Sequence, residues 1–307
     1  MANSCCSPAL SVISVDSPRH EEPAFSLREP TTLNGMVQVP AGPFSMGTNS
    51  AIAYPADKES PKRVVELDEF WIDETAVTNQ SFSAFVDATG YVTEAERIGW
   101  SFVPSFLLSV DDQQFCLGAS SDTPWWIGVK QANWRNPLGP SSTIGDLQSH
   151  PVVHISWDDA NAFAQWVGKR LPTEAEWEKA ARGGKEGSLY AWGDELTENG
   201  QHACNIWQGD FPTFNTADDG YLGTAPVYSY QPNGYGLYNV CGNVWEWCQD
   251  NWEIQEFDES KVIKGGSFMC HDSYCNRYRL SARTSHPKKG FTAHIGFRCV
   301  VGKNQNY

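Results

Sequence analysis

The sequence predicts an α+β chain that is irregular and loop-rich, with little regular secondary structure, and three observations lead there. Start signals can be read for only three helices. Strand-like segments are short and scattered. The 13 Trp, 11 Tyr and 26 Gly point to a core of aromatic rings set among turns rather than to stacked long helices. Residues 1–34 are rich in Ser, Pro and Glu without sustained periodicity and are expected to form a disordered tail, leaving residues 35–307 as a single domain.

Residues 37–44 and 64–72 carry β-branched and aromatic side chains in partial alternation between turn formers, the pattern of strands. Thr78 is placed to cap a helix that puts Phe82, Phe85 and Val86 on one face and ends at Gly90. Ser156 with Asp159 opens a second helix, carrying Ala160, Phe163, Ala164 and Val167 and stopping at Gly168. Thr173 with Glu176 opens a third, which ends at Gly183 and Gly184. Beyond it only short strand-like segments follow, at residues 262–268, 278–282 and 296–300. Residues 91–155 and 185–260 are therefore expected to be largely irregular, and loops that long are usually functional or cross-linked by metal ions.

Twenty-two Lys and Arg against 37 Asp and Glu give a formal net charge of −15. That field repels phosphate backbones and anionic headgroups, which excludes nucleic acid and membrane as expected partners. No apolar run is long enough to span a bilayer, and the first residues lack the basic start and apolar stretch of a secretory signal, so a soluble, cytoplasmic protein is expected. The nine cysteines are scattered and odd in number, unlike a disulfide scaffold.

Cys270 and Cys275 carry the strongest chemical signal. Five positions apart, they would point about 140° apart on a helix and to opposite faces of a strand, so only a turn lets both sulfurs converge. Zinc would ask for a second close pair, and there is none. Two thiolates alone suit a soft ion of low coordination, Cu(I) first among them. A buried cysteine pair or a structural disulfide is the alternative. A second signal is the crowding of Asn205, Asn215, Asp218, Asp219, Asn239, Asn243 and Glu246 into two loops. Hard oxygens on irregular loops suit Ca²⁺, while composition alone favours ordinary Asx-turn chemistry.

Four segments together resemble the formylglycine-generating enzymes of the sulfatase-modifying factor family. They are Arg170-Leu-Pro-Thr-Glu-Ala-Glu-Trp-Glu178, Asn205-Ile-Trp-Gln-Gly209, Gly242-Asn-Val-Trp-Glu-Trp247, and Gly265-Gly-Ser-Phe-Met-Cys-His-Asp-Ser-Tyr-Cys-Asn-Arg-Tyr-Arg279. The resemblance implies a fold of C-type-lectin-like character. It also implies a copper-dependent oxidase that uses O2 and a thiol reductant to convert the cysteine of a Cys-x-Pro-x-Arg segment, in an unfolded sulfatase polypeptide, to Cα-formylglycine. By the same resemblance Cys270 and Cys275 hold copper, while Ser267, His271 and Trp245 surround the oxygen pocket and Arg283 and His294 meet substrate. One structural calcium would use Asn205 and Asp219 with the Ile206 and Tyr221 carbonyls. A second would use Asn239 and Glu246 with the Gly242 and Val244 carbonyls. Residues 285–292 depart from the usual Asn-Thr-Pro-Asp-Ser-Ser of the family. Two other readings share the fold. An iron-dependent sulfoxide synthase would need a histidine-rich facial site and a further helical domain, and a non-catalytic, metal-stabilised binding module would need neither Cys270 nor Cys275.

Overall fold

The computed structural model describes residue 8, residues 32–252 and residues 259–302. Most of the expected N-terminal tail therefore lies outside the described residues. Strands β1 (Met36–Val39), β2 (Gly42–Met46), β3 (Arg63–Leu67) and β4 (Phe70–Asp73) replace the two strands expected, because a turn interrupts each apolar run. β2 pairs with β3, while β1 and the C-terminal strand flank β4 on either side.

Caps set the helices as the sequence predicts. Helix α1 (Asn79–Thr89) begins where the Thr78 hydroxyl accepts from the Ser81 N–H, and it ends at Gly90 with φ 67°. Helix α2 (Glu94–Ile98) was not anticipated, yet Thr93 and Glu96 form a complete capping box. The next elements, β5 (Trp100–Pro104), β6 (Cys116–Ala119) and β7 (Trp126–Lys130), make a three-stranded sheet in order β5-β7-β6 within a stretch expected to be irregular. Every residue of β5 is buried, so no alternation marked it as a strand. Helices α3 (Trp157–Trp166) and α4 (Glu174–Arg182) both carry the predicted capping boxes.

After α4 come two small hairpins, β8 (Thr197–Glu198) with β9 (Gln201–His202), and β10 (Gly209–Asp210) with β11 (Phe214–Asn215). The last elements are β12 (Trp245–Asn251), β13 (Ser260–Lys264), β14 (Thr284–Pro287), β15 (Ile295–Gly296) and β16 (Val300–Gly302). Strands β14, β13, β12 and β15 lie in that order as a mixed sheet, and β16 closes on β4. The strand expected at residues 278–282 is absent, and β14 begins just after it. Mixed helix and strand with long connections bears out the predicted fold class. No helix among the described residues is long and apolar enough to cross a membrane.

Aromatic rings do fill the centre. Phe82 of α1 meets Trp134 edge-on at 5.1 Å and Phe297 at 6.5 Å, and it stacks on Phe163 of α3 at 5.8 Å. Polar anchors tie this core to the sheet: buried Glu178 of α4 takes Arg182 at 2.6 Å, Lys264 of β13 at 3.0 Å and the Gly47 N–H at 2.7 Å. Those partners outweigh burial and hold the Glu178 carboxyl below its usual range.

His154, also buried, occupies the left-handed region with φ 60°. Its Nε2 donates to the Pro137 carbonyl at 2.8 Å, so its Nδ1 accepts the Ser101 hydroxyl at 2.6 Å as a neutral imidazole. Burial pushes its pKa from 6.5 down to about 4. A base depressed in the folded state contributes fully above its unfolded pKa and loses that contribution as pH falls, here about 3 kcal/mol between 6.5 and 4. Asp159, which burial pushes up to about 6, titrates in the same window with the opposite sign. The informative comparison is therefore with His154→Asn, which tolerates this backbone conformation. Denaturant midpoints of the two proteins should converge as pH falls from 6.5 to 4, and parallel curves would show that His154 does not titrate there.

Candidate active site

Residues 265–283 leave the sheet at the end of β13 and return as β14, so the cysteine segment is an excursion fixed at both ends by paired strands. Gly266, with φ 74°, lets it turn: a Cβ there would stand 2.8 Å from the Tyr278 Cα. The Cys270 N–H then bonds the Ser267 carbonyl at 2.9 Å, and the Cys275 N–H bonds the His271 carbonyl at 2.7 Å. These two turns bring the sulfurs within 3.4 Å of each other, both buried. The convergence that spacing required of a turn is present.

Cys270 also faces a small cavity with room for about one water-sized molecule, lined by Trp125, Phe211, Trp245, Ser267, Met269 and His294. Trp245 opens β12 and His294 directly precedes β15, and the Trp245 N–H bonds the His294 carbonyl at 2.9 Å, so this wall sits at one end of the sheet. The Ser267 backbone N–H points at the Cys270 sulfur from 3.4 Å. Burial, reinforced by the nearby His286, pushes the His294 pKa well below 6.5, and the imidazole is neutral at pH 7. Thr292 engages its Nδ1 at 2.6 Å, which leaves Nε2 as the nitrogen able to serve the cavity. The indole N–H groups of Trp245 and Trp125 are buried without an acceptor. Both residues line the cavity, and a buried donor without an acceptor is one a bound polar group can satisfy.

Among the residues predicted for the site, Cys270, Cys275, Ser267, Trp245 and His294 come together. His271 does not line the cavity: its ring is partly exposed and bonds Ser273 at 2.7 Å, because the turn that joins the cysteines directs it outward. Arg283 lies 2.8 Å from Glu174 and covers the Trp252 ring at 4.7 Å, so it is placed as a packing cation rather than beside the cavity. Sequence reasoning missed Trp125 and Phe211, which sit in loops with no motif of their own. The capping box at Thr93, followed by the apolar run of β5, was the legible sign that residues 91–155 build structure near the site.

Copper and calcium can be tested against these donors. Two buried thiols held 3.4 Å apart suit a soft monovalent ion. For the first calcium set, Asn205 uses its amide N–H on the Gly223 carbonyl at 2.8 Å, and its buried Oδ1 has no partner. Burial pushes Asp219 above the ordinary carboxylate range, and the Gln208 amide bridges its carboxylate and the Ile206 carbonyl, where a cation would bind the same two oxygens. This set fits a hard cation. In the second set Asn239 likewise has a buried Oδ1 without a partner. Its acid is different: Glu246 receives Arg298 at 2.7 and 2.8 Å and the Trp177 indole at 2.7 Å, so a metal there would share a charge already matched. The second set fits less well.

Residues 22–303 match the sulfatase-modifying factor enzyme 1-like domain family. The chain is similar to the formylglycine-generating enzyme of Streptomyces coelicolor, 53% identical over 91% of this chain and 92% of that one. It is also 42% identical to a Bos taurus protein named inactive C-alpha-formylglycine-generating enzyme 2, over 96% of each. Among solved structures, PvdO from Pseudomonas aeruginosa shares the fold, with a TM-score of 0.63 and 24% identity over 87% of this chain and 94% of that one. The chain belongs to the sulfatase-modifying factor enzyme 1-like domain family.

Proposed function

We propose that this protein is a copper-dependent formylglycine-generating oxidase of the cytoplasm, acting on the cysteine of a Cys-x-Pro-x-Arg segment in an unfolded sulfatase. One observation carries the reading: two buried sulfurs 3.4 Å apart, one of them lining a cavity with room for about one small molecule. Relatives of similar length include both active and inactive members, so the fold alone does not decide. The cysteine pair favours catalysis, because a binding module has no use for it.

Cu(I) on Cys270 and Cys275 would supply a soft centre for the substrate sulfur and a route for electrons to O2. The chain's own groups supply the rest. Trp245 and Trp125 line the cavity and have buried indole N–H groups without an acceptor, which would be available to a small polar or anionic occupant within reach. Neutral His294 offers a nitrogen that can pass a proton without first losing one. Trp125, Phe211 and Met269 give the cavity an apolar wall that limits its contact with bulk water. In balance, the substrate thiol, O2, two electrons and two protons give the aldehyde, hydrogen sulfide and water, the electrons and protons coming from a thiol reductant that becomes a disulfide. Calcium, held best by Asn205 and Asp219, would serve structure only.

Incubation with Cu(I), O2, a thiol reductant and a Cys-x-Pro-x-Arg peptide should yield the aldehyde peptide by mass, and none when copper is omitted. Conversion that is independent of copper would refute the metal assignment, and no conversion at all would refute the activity.

A further inference from the structure

The second cysteine is held by a part of the chain more than two hundred residues away. The loop from Tyr54 to Glu59 grips the segment just after Cys275 at three points. The Asn276 N–H donates to the Tyr54 hydroxyl at 3.1 Å. Arg277 Nε donates to Asp57 at 2.6 Å while its guanidinium lies 4.1 Å from the centre of the Tyr54 ring. Arg279 makes a two-pronged pair with Glu59 at 2.7 and 2.8 Å. Arg277, Asp57, Arg279 and Glu59 are all buried, so these are fixed geometries rather than surface pairs. One contact goes further than support: Arg277 Nη1 reaches the Cys275 sulfur at 3.8 Å.

The charges give that contact a purpose. Two thiolates and one monovalent ion leave a net negative charge in a buried place, which is costly unless a cation answers it. Arg277 is a permanent cation that donates to one of the two sulfurs, and hydrogen bonds from outside the ligand shell are a general means of tuning a metal site. Asp57 plays two parts here. It orients the guanidinium, and it competes for the same positive charge.

We propose that Arg277 is a positioning residue for the copper site, donating to the Cys275 sulfur and offsetting the excess negative charge of the two thiolates, while Asp57 moderates that effect. The inference rests on the copper reading above. Its test is Cu(I) affinity of the metal-free protein, measured without oxygen by competition with a chromophoric Cu(I) chelator at one fixed pH. Arg277→Gln should weaken binding about 10- to 100-fold, the usual cost of losing such a partner. Arg277→Lys, which keeps the charge but loses the fork, should fall between it and wild type. Asp57→Asn keeps an acceptor for Arg277 Nε but removes the competing charge, so it should bind Cu(I) as tightly as wild type or more tightly.

A purely structural clamp predicts a different pattern, because loosening either side would weaken binding. Affinity within threefold of wild type for Arg277→Gln, or a parallel loss in Asp57→Asn, overturns the proposal. If Arg277→Gln fails to fold by near-ultraviolet circular dichroism, Arg277→Lys and Asp57→Asn decide it on the same criteria. Wild-type protein that binds no Cu(I), or binding that survives loss of both cysteines, is a separate result and overturns the copper reading instead.

Discussion

Replacing either Cys270 or Cys275 with serine should reduce peptide conversion below about 1% of wild type, since losing a ligand itself must exceed the 10- to 100-fold cost of losing its outer support. Serine keeps the size but offers a hard, protonated oxygen to a soft ion. The two variants should fail alike, because each cysteine supplies half of the protein's donors, and both should stay folded, because the turns that hold them use backbone groups: Cys270 N–H on Ser267 and Cys275 N–H on His271. Cys116→Ser is the contrast. That thiol lies on β6, partly exposed, packed against the Val103–Val129–Ala132 cluster and in a long 3.8 Å hydrogen bond to the Asp112 carbonyl. Conversion by Cys116→Ser should match wild type. Cys248→Ser should keep turnover as well but lose some stability, since burial pushes that thiol well above its usual pKa and marks it as a packed, unreactive group. Residual conversion near the wild-type rate in the double variant Cys270→Ser/Cys275→Ser would show that the pair is structural.

The parts of this site that the sequence made legible share one property: their geometry is set locally. Thr78, Ser156 and Thr173 announced three helices because a cap is a contact over three residues. The cysteine pair could be read for the same reason, since its spacing alone demanded a turn. Residue placements departed from expectation where distant chain decides orientation. His271 sits between the cysteines in sequence, but the turn that joins their sulfurs sends its ring to Ser273. Arg277 stands within the motif, but its ion-pair partner is Asp57, 220 residues earlier, which no local pattern reveals. Trp125 carried no local mark at all, because the fold places its ring edge-on to Phe211 and Tyr274 at 5.1 Å each. Strand β5, the start of the sheet β5-β7-β6, was invisible for a related reason: a strand buried on both faces does not alternate.

Glu246 shows how one acid can be assigned differently by pattern and by structure, and the difference should be large enough to measure. It sits on β12, where its backbone pairs with Lys264 of β13 on one side and Gly296 of β15 on the other. Its carboxylate is buried against Arg298, itself fully buried and donating further to the carbonyls of Asp73, Glu74 and Tyr238 at 2.9 to 3.1 Å. Glu246→Ala would strand that guanidinium without a counter-charge, a defect worth about 3–5 kcal/mol. In a domain of this size the melting temperature should fall by on the order of 10 °C. If Glu246 acted only as a calcium ligand, the loss would vanish once a calcium chelator had stripped both proteins. The Arg298 pair predicts that it persists. Asp219→Ala should behave in the opposite way, differing from wild type when calcium is present and much less when it is removed, because Asp219 and the unpartnered Asn205 Oδ1 form the set that fits a hard cation. Pairing Glu246→Leu with Arg298→Met should recover part of the loss, since the strandedness of one charge, rather than the absence of the pair, carries most of the penalty. A loss below about 1 kcal/mol for Glu246→Ala under chelation would reject the ion pair as the anchor. The neighbouring Trp245 wall of the cavity would then have to be held by something other than the residue beside it.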